Sequence, residues 1–359
     1  MRNHAIERSP EERINWVTSI PFFAVHLACL AALVTGVSAR ALVMCVVLYV
    51  TRMWFITAGY HRYFSHRSYR TGRVVQFLLA FGGSSAVQKG PLWWAAHHRD
   101  HHRYADSEGD IHSPQKGFWW SHVGWILSDK NNTANLDNVR DLAKYPELRF
   151  VEDHDWIAPW ALAIGCFLYG GWSGLVVGFI WSTVLVWHGT FTVNSLAHVL
   201  GRRRYATDDT SRNSALIAVW TGGEGWHNNH HHFQASARQG FFWWEYDPTW
   251  YGLKVLGWLH LVHDLKTPPA RVRAAGRVRD GSFDMGMFKA HWAKAAAALA
   301  AARHGAAPGE IAARREHMED RIHASRAALE GYVASSLRSA EELAKLSRRQ
   351  ARELGLRES

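Results

Sequence analysis

Apolar residues in this chain come in long blocks. The segment Trp16 to Val37, WVTSIPFFAVHLACLAALVTGV, has only His26 polar enough to disturb it. That is the length needed to cross a hydrocarbon core of roughly 30 Å. After a short link through Arg40, a second block covers about 41–60 and carries Arg52. A guanidinium there must face the protein interior or lie near the end of the span. Two more blocks cover about 157–178 and 180–200, with the glycine-rich Tyr169-Gly170-Gly171-Trp172-Ser173-Gly174 as the turn. The pattern predicts an all-α membrane protein whose four transmembrane helices form two hairpins.

Polar stretches separate these blocks. Residues 61–155 are polar, histidine-rich and aromatic, and their one apolar piece, Val74 to Val87, is short and broken by glycine. Arg and Lys concentrate before Trp16, between the hairpins and after Gly201, including Arg202-Arg203-Arg204. The positive-inside rule then places both termini and the middle segment on the cytoplasmic side of a multi-pass protein. No cleavable leader pattern precedes the first block, so it reads as a retained span. Beyond Pro268-Pro269 the composition changes, dividing the chain into 1–265 and an Ala/Arg/Glu-rich tail, 266–359, expected to be helical. The irregular stripe of Ile311, Met318, Ile322, Leu329, Val333, Leu343 and Leu346 suits a docked helix or a weak coiled coil.

Composition sharpens this picture at three points. The 23 histidines among 359 residues far exceed ordinary usage. The net charge of +10 favours anionic partners such as a cytoplasmic leaflet or a phosphorylated ligand. No nucleic-acid motif accompanies it, and nucleic acid is not expected as a partner. The 3 cysteines, Cys29, Cys45 and Cys166, lie inside apolar blocks with no Cys-x-x-Cys spacing, which excludes a zinc knuckle or a disulfide framework.

The histidines cluster. His227, His230 and His231 follow Gly222-Gly223-Glu224-Gly225-Trp226, and His98, His101 and His102 repeat the same i, i+3, i+4 spacing. On a helix this spacing puts three imidazoles on one face. His61 and His66 are five apart, which predicts a helix end between them. Asn194 and His198, at i and i+4, close the fourth span. The nine imidazoles of His61, His66, His98, His101, His102, His198, His227, His230 and His231 exceed one metal shell and suit two.

His61-x4-His66, His98-x-x-His101-His102, Asn194-Ser195-Leu196-Ala197-His198 and His227-x-x-His230-His231 resemble the histidine boxes of membrane-bound fatty acid desaturases. Gly223-Glu224-Gly225-Trp226-His227-Asn228 and Ser121-His122-Val123-Gly124-Trp125 are similar to the delta-9 acyl-CoA branch. The resemblance spans about 16–263. It implies a four-helix membrane stem with a cytosolic helical cap, two non-haem iron ions held by the nine histidines, and Asn194 acting through a water. It also implies an O2-dependent desaturase making a cis double bond, at delta-9, in a saturated acyl chain carried by coenzyme A.

Asp100, Asp106, Asp110, Glu224 and Asp247 are expected to orient the ligands' N–H bonds. His97, His232 and His188 are assigned supporting or wall positions. Arg62, Arg67 and Lys89, with Arg70, Arg73 and Arg99, are candidates for an anionic substrate headgroup, a solvated basic surface being the alternative for each. The chain has neither a haem-binding His-Pro-Gly-Gly nor a cysteine-rich ferredoxin segment. The resemblance therefore implies a separate electron donor of cytochrome b5, ferredoxin or rubredoxin type. Two rival functions are a membrane di-iron hydroxylase acting on fatty acids or alkanes, and a metal-binding transporter with histidines along its spans.

Overall fold

A computed structural model describes residues 10–278 apart from Glu108. Most of the tail, from 279 on, lies outside the described residues. The apolar blocks are helices. Two stretches, Ala39–Ser65 and Ile157–His198, are long and apolar enough to cross a membrane, and Ile20–Thr35 is a shorter apolar helix. The second stretch is not one straight helix, because Gly171 has φ 59 and ψ −152. An L side chain is disfavoured at that φ, and glycine lets the chain reverse. The break thus falls at Gly171 inside the expected turn, and the helices on either side are Ile157–Ser173 and Gly174–Trp181 with Ser182–Asn194. The expected boundary near 179 moves back by about two helical turns.

The two hairpins meet at their tips. The Ser173 hydroxyl donates to the Gly36 carbonyl at 3.1 Å and accepts from the Ser38 N–H at 3.2 Å. Ala32, Ala41, Cys45, Val176 and Val177 form a small core between them. Their outer faces stay apolar and exposed, Val34 at 91% and Leu168 at 78%, a surface that suits lipid better than water. Arg52 faces inward, 1% exposed. Its guanidinium donates to the Leu48, Ser85 and Phe179 carbonyls and to the Thr183 and Ser182 hydroxyls. Neutral oxygens thus occupy the whole fork, which is how a buried charge without a carboxylate is tolerated.

Past Trp54 the stretch Ala39–Ser65 changes character. Phe55–Ser65 is π-helical, and His66 N–H reaches the His61 carbonyl at 3.3 Å. In that wider turn residues five apart share a face, so His61 and His66 project together, and the helix ends at Ser65 with His66 as its cap, where the spacing places the end. The helices Arg73–Ser84 and Pro91–Tyr104 pack on this run, and the core of Tyr60, Phe64, Leu79, Leu92, Leu142 and Leu148 lies among them. Pro91 opens the His98 helix, and the Glu152 carboxylate caps it by accepting from Leu92 N–H at 2.7 Å. Gly90 is required beside that cap, since a Cβ there would meet Glu152 Oε2 at 2.2 Å. The only named strands among the described residues are the antiparallel pair Arg70–Thr71 and Val262–His263.

Candidate metal centre

The nine histidines converge into two groups. His61, His66, His98, His102 and His230 form one, His101, His198, His227 and His231 the other, and within each the candidate ligand atoms lie within 4.8 Å of one another. The helix Pro91–Tyr104 serves both groups, His98 and His102 pointing to the first and His101 to the second. The short helix His227–His232 divides the same way. The spacing His-x-x-His-His is therefore a means of feeding two adjacent sites from one helix.

The nitrogen separations suit metal ions. His61–His230, His66–His98, His98–His102, His102–His230 and His198–His227 have Nε2 pairs 3.0, 2.9, 3.0, 2.8 and 3.0 Å apart. Neighbouring ligands about 2.1 Å from one ion would stand about 3.0 Å apart. His231 adds an independent sign, because its Nδ1 meets Asp209 while its buried Nε2 has no hydrogen-bond partner. Burial holds His66, His98, His102, His227 and His230 well below the usual imidazole range, and the neighbouring imidazoles add to this. Neutral imidazole is the metal-binding form. The first group is shallower, with His66, His98 and His102 partly exposed, whereas the second is wholly buried.

Carboxylates fix the rings from behind. Glu224 Oε2 lies 2.6 Å from His61 Nδ1, Asp110 Oδ1 3.0 Å from His101 Nδ1, and Asp209 Oδ2 2.7 Å from His231 Nδ1. Asp106 Oδ1 lies 3.6 Å from His198 Nδ1, and its other oxygen also acts through Thr210. That oxygen accepts from the Thr210 hydroxyl at 2.5 Å, and Thr210 Oγ1 lies 3.0 Å from His198 Nδ1. Burial raises the Asp209 and Asp110 carboxyls, but His231 and His101 outweigh it and hold both below the usual range. Gln239 Nε2 sits between His61 Nδ1 at 3.3 Å and His230 Nδ1 at 3.4 Å. Asp209 and Thr210 sit inside the polar run Thr207-Asp208-Asp209-Thr210-Ser211 and Gln239 between Arg238 and Gly240, and none belongs to a histidine box that would mark it.

Several expected residues lie elsewhere. Asp100 pairs with Arg103 and Asn138 at 3.2 and 2.8 Å and touches no ligand, one helical step around from His101. His97 turns its Nδ1 to the Trp93 carbonyl at 2.9 Å. His232 stacks on Tyr205 at 3.9 Å and meets the Val272 carbonyl at 2.9 Å, so it docks the segment after Pro269. Asp247 turns away from the rings to cap the helix Pro248–Trp258 and to hold Arg62.

Arg62 is the clearest correction among the basic residues. It is fully buried and shared by Glu224 and Asp247 at 3.0 and 2.9 Å, beyond reach of a headgroup. Arg67, by contrast, lines a cavity of about 300 Å3 with Tyr69, Arg70, Asp264 and Lys266. The Lys89 side chain is exposed. Asn194 ends the helix Ser182–Asn194, one turn before His198.

The fatty acid desaturase family model matches residues 38–257, the part of the chain that carries every one of these imidazoles. The chain belongs to the fatty acid desaturase family. Among similar desaturases, the sn-1 stearoyl-lipid 9-desaturase of Anabaena variabilis is 38% identical over 73% of this chain and 97% of its own length. The acyl-CoA C20 Delta5-desaturase of Anemone leveillei is also 38% identical, over 68% of this chain and 79% of its own. A chloroplastic palmitoyl-monogalactosyldiacylglycerol delta-7 desaturase of Arabidopsis thaliana is 40% identical over 61% of this chain and 60% of its own. This desaturase is therefore an oxidoreductase of lipid metabolism, with apolar helices suited to a membrane.

Proposed function

We propose that this desaturase uses O2 and two electrons to place a cis double bond at the ninth carbon of a saturated acyl chain carried on a membrane lipid. The carrying observation is the convergence of nine imidazoles into two metal-sized groups. Iron ions held there would supply the oxidant that unactivated methylene C–H bonds require, which side-chain acids and bases cannot provide. Glu224, Asp110 and Asp209 hold the ligand rings in orientation, and Arg62 holds Glu224 in turn. Asn194, one turn before His198 in the chain, is assigned to hold a water. The lipid carrier is favoured by the Anabaena variabilis enzyme, which matches this chain over 97% of its own length and is described as acting on stearoyl-lipid.

A second reading, acyl-CoA as carrier, is supported by the basic cavity of Arg67, Arg70 and Lys266, whose charge suits a phosphorylated headgroup. In the membrane, the joined hairpin tips and the Arg-rich opposite ends favour four crossing helices with both termini and the metal site on the cytoplasmic side. A separate one-electron carrier protein completes the assignment.

The test is fatty acid profiling of a desaturase-deficient host expressing the full chain, beside the His230→Ala variant. A new cis-9 monoene in lipid-linked acyl chains, absent from the variant, is expected. Hydroxylated products would favour the hydroxylase. Metal uptake without any new acyl product would favour the transporter. Purified protein given acyl-CoA or phospholipid separates the two carriers.

A further inference from the structure

A cavity of about 450 Å3 lies between the helices Ala39–Trp54 and Ile157–Ser173, close to the joined hairpin tips. Arg40, Val43, Met44 and Val47 line it from the first helix, and Leu162 and Gly165 from the second. Positions 40, 43, 44 and 47 share one helical face. Val43 and Val47 are 63% and 55% exposed, so the cavity is a groove open along its side. On the first helix its lining runs from Arg40 to Leu48, about 12 Å at 1.5 Å per residue. That is close to half of a hydrocarbon core of roughly 30 Å.

Two features of the groove have no explanation in packing. The first is Gly165. Glycines in apolar helices let a neighbouring helix come close, and Gly178 serves in this way, since a Cβ there would meet Met44 Cε at 3.2 Å. A Cβ at Gly165 would meet nothing within 4 Å. Glycine is also a poor helix former, so Gly165 serves neither helix contact nor helix stability. Its missing side chain deepens the groove instead.

The second feature is Arg40. It is the only Asp, Glu, Lys or Arg in 17–51 and 157–201, and it stands at the opposite end of the stretch Ala39–Ser65 from His61. The positive-inside rule collects cations at the other end. Among the described residues no carboxylate pairs with Arg40. Its guanidinium meets the Tyr169 carbonyl at a long 3.5 Å and lies 5.4 Å from the centre of the Tyr169 ring. The exposed fork is left for an anion from outside the chain, and phosphate is the anion that a guanidinium grips with two parallel N–H bonds.

We propose that this groove binds one glycerophospholipid of the bilayer, with its phosphate on Arg40 and one acyl chain along Val43, Val47 and Gly165, in the leaflet opposite the metal groups. The inference rests on the membrane reading of the two hairpins. A single cation above an apolar groove about one leaflet deep matches the charge and the layout of such a lipid. A second copy of this chain packed here would leave Arg40 unmatched, because 17–51 and 157–201 contain no Asp or Glu.

The test titrates the purified full chain, in neutral detergent, with phosphatidylglycerol or with diacylglycerol, which lacks the phosphate, and counts bound lipid by native mass spectrometry. One phosphatidylglycerol per chain should bind about 10-fold more tightly than diacylglycerol, the effect of one charge-assisted contact. Arg40→Gln should abolish that preference. Gly165→Leu fills the groove and should weaken both lipids, whereas Gly165→Ala leaves most of the space and should bind both as the unsubstituted chain does. All three variants should keep their iron content, which reports correct folding. Unchanged binding in Arg40→Gln and Gly165→Leu overturns the site. So does a dimer, formed without lipid, that Gly165→Leu dissociates. A chain that alkaline carbonate strips from membranes refutes the membrane reading and the site together, while unchanged variants of a carbonate-resistant chain refute the site alone.

Discussion

Asp209 Oδ2 stands 2.7 Å from Nδ1 of His231, leaving the opposite ring nitrogen buried and without a partner. The carboxylate fixes both the tautomer and the direction of that lone pair, and it acts on the more enclosed of the two groups. Outer partners of this kind typically contribute 10–100-fold to metal affinity. Asp209→Asn should lower affinity at the second group by about that factor, measured by metal titration of the purified protein. Asp100→Asn, whose carboxylate touches no ligand, should leave the titration unchanged.

Arg62 and Arg67 should respond in opposite ways to the same change. Arg62→Met leaves Glu224 and Asp247 buried without their cation, at a cost of about 3–5 kcal/mol. Lower yield and a lower thermal midpoint are expected. Arg67→Met, in a half-exposed position, should fold normally. If the basic cavity holds a headgroup, its KM for acyl-CoA rises with little change in KM for lipid-linked substrate.

Arg52→Lys tests how a charge is kept among apolar helices. Lysine keeps the charge but brings three donors where the guanidinium makes bonds to five oxygens. A loss of about 1–3 kcal/mol is expected, read from the detergent or denaturant midpoint.

Glu12 should give a pH signature away from the metal site. Burial raises its carboxyl, but Lys130 and Lys116 outweigh this and lower it from 4.5 to about 2. A carboxyl depressed in the folded state stabilises fully above its unfolded value, and that contribution disappears as pH falls towards the folded value. The thermal midpoint should therefore drop between about pH 4.5 and 2, through this pair of contacts among others. Glu12→Gln should lower the midpoint at pH 6 and flatten that part of the profile.

The parts legible in the sequence were those written in local spacing. Two His-x-x-His-His runs point at a shared target because a helix repeats every 3.6 residues, and Gly171 lies in a turn that its neighbours already mark. Spacing told less where the helix itself departed from that period. It put a helix end between His61 and His66, but not the π-helical turn that brings them together. Adjacency also misled: His97 and His232 stand one residue from ligand positions and are turned about 100° away from them. Asp209 meets His231 and Gln239 meets His61 across separate segments of the chain, so only tertiary structure could pair them. Arg62 reads as a surface cation until the two carboxylates around it are placed.

The run Ala39–Ser65 is a continuous helical stretch of 27 residues that begins among apolar side chains, carries His61 near its end and is capped by His66. Its α-helical part, Ala39–Trp54, is about 24 Å long at 1.5 Å per residue, and the π-helical turns continue it. The stretch is a lever, with one arm long and apolar enough to cross a membrane and the other leading to two of the five nitrogens of the shallow group. Helices answer a bilayer that is too thin or too thick by tilting. A tilt of this helix displaces His61 and His66 against His98, His102 and His230, while the buried group has no member on it. In the proposed membrane setting, bilayer thickness would therefore bear on the shallow histidine group and leave the buried one untouched.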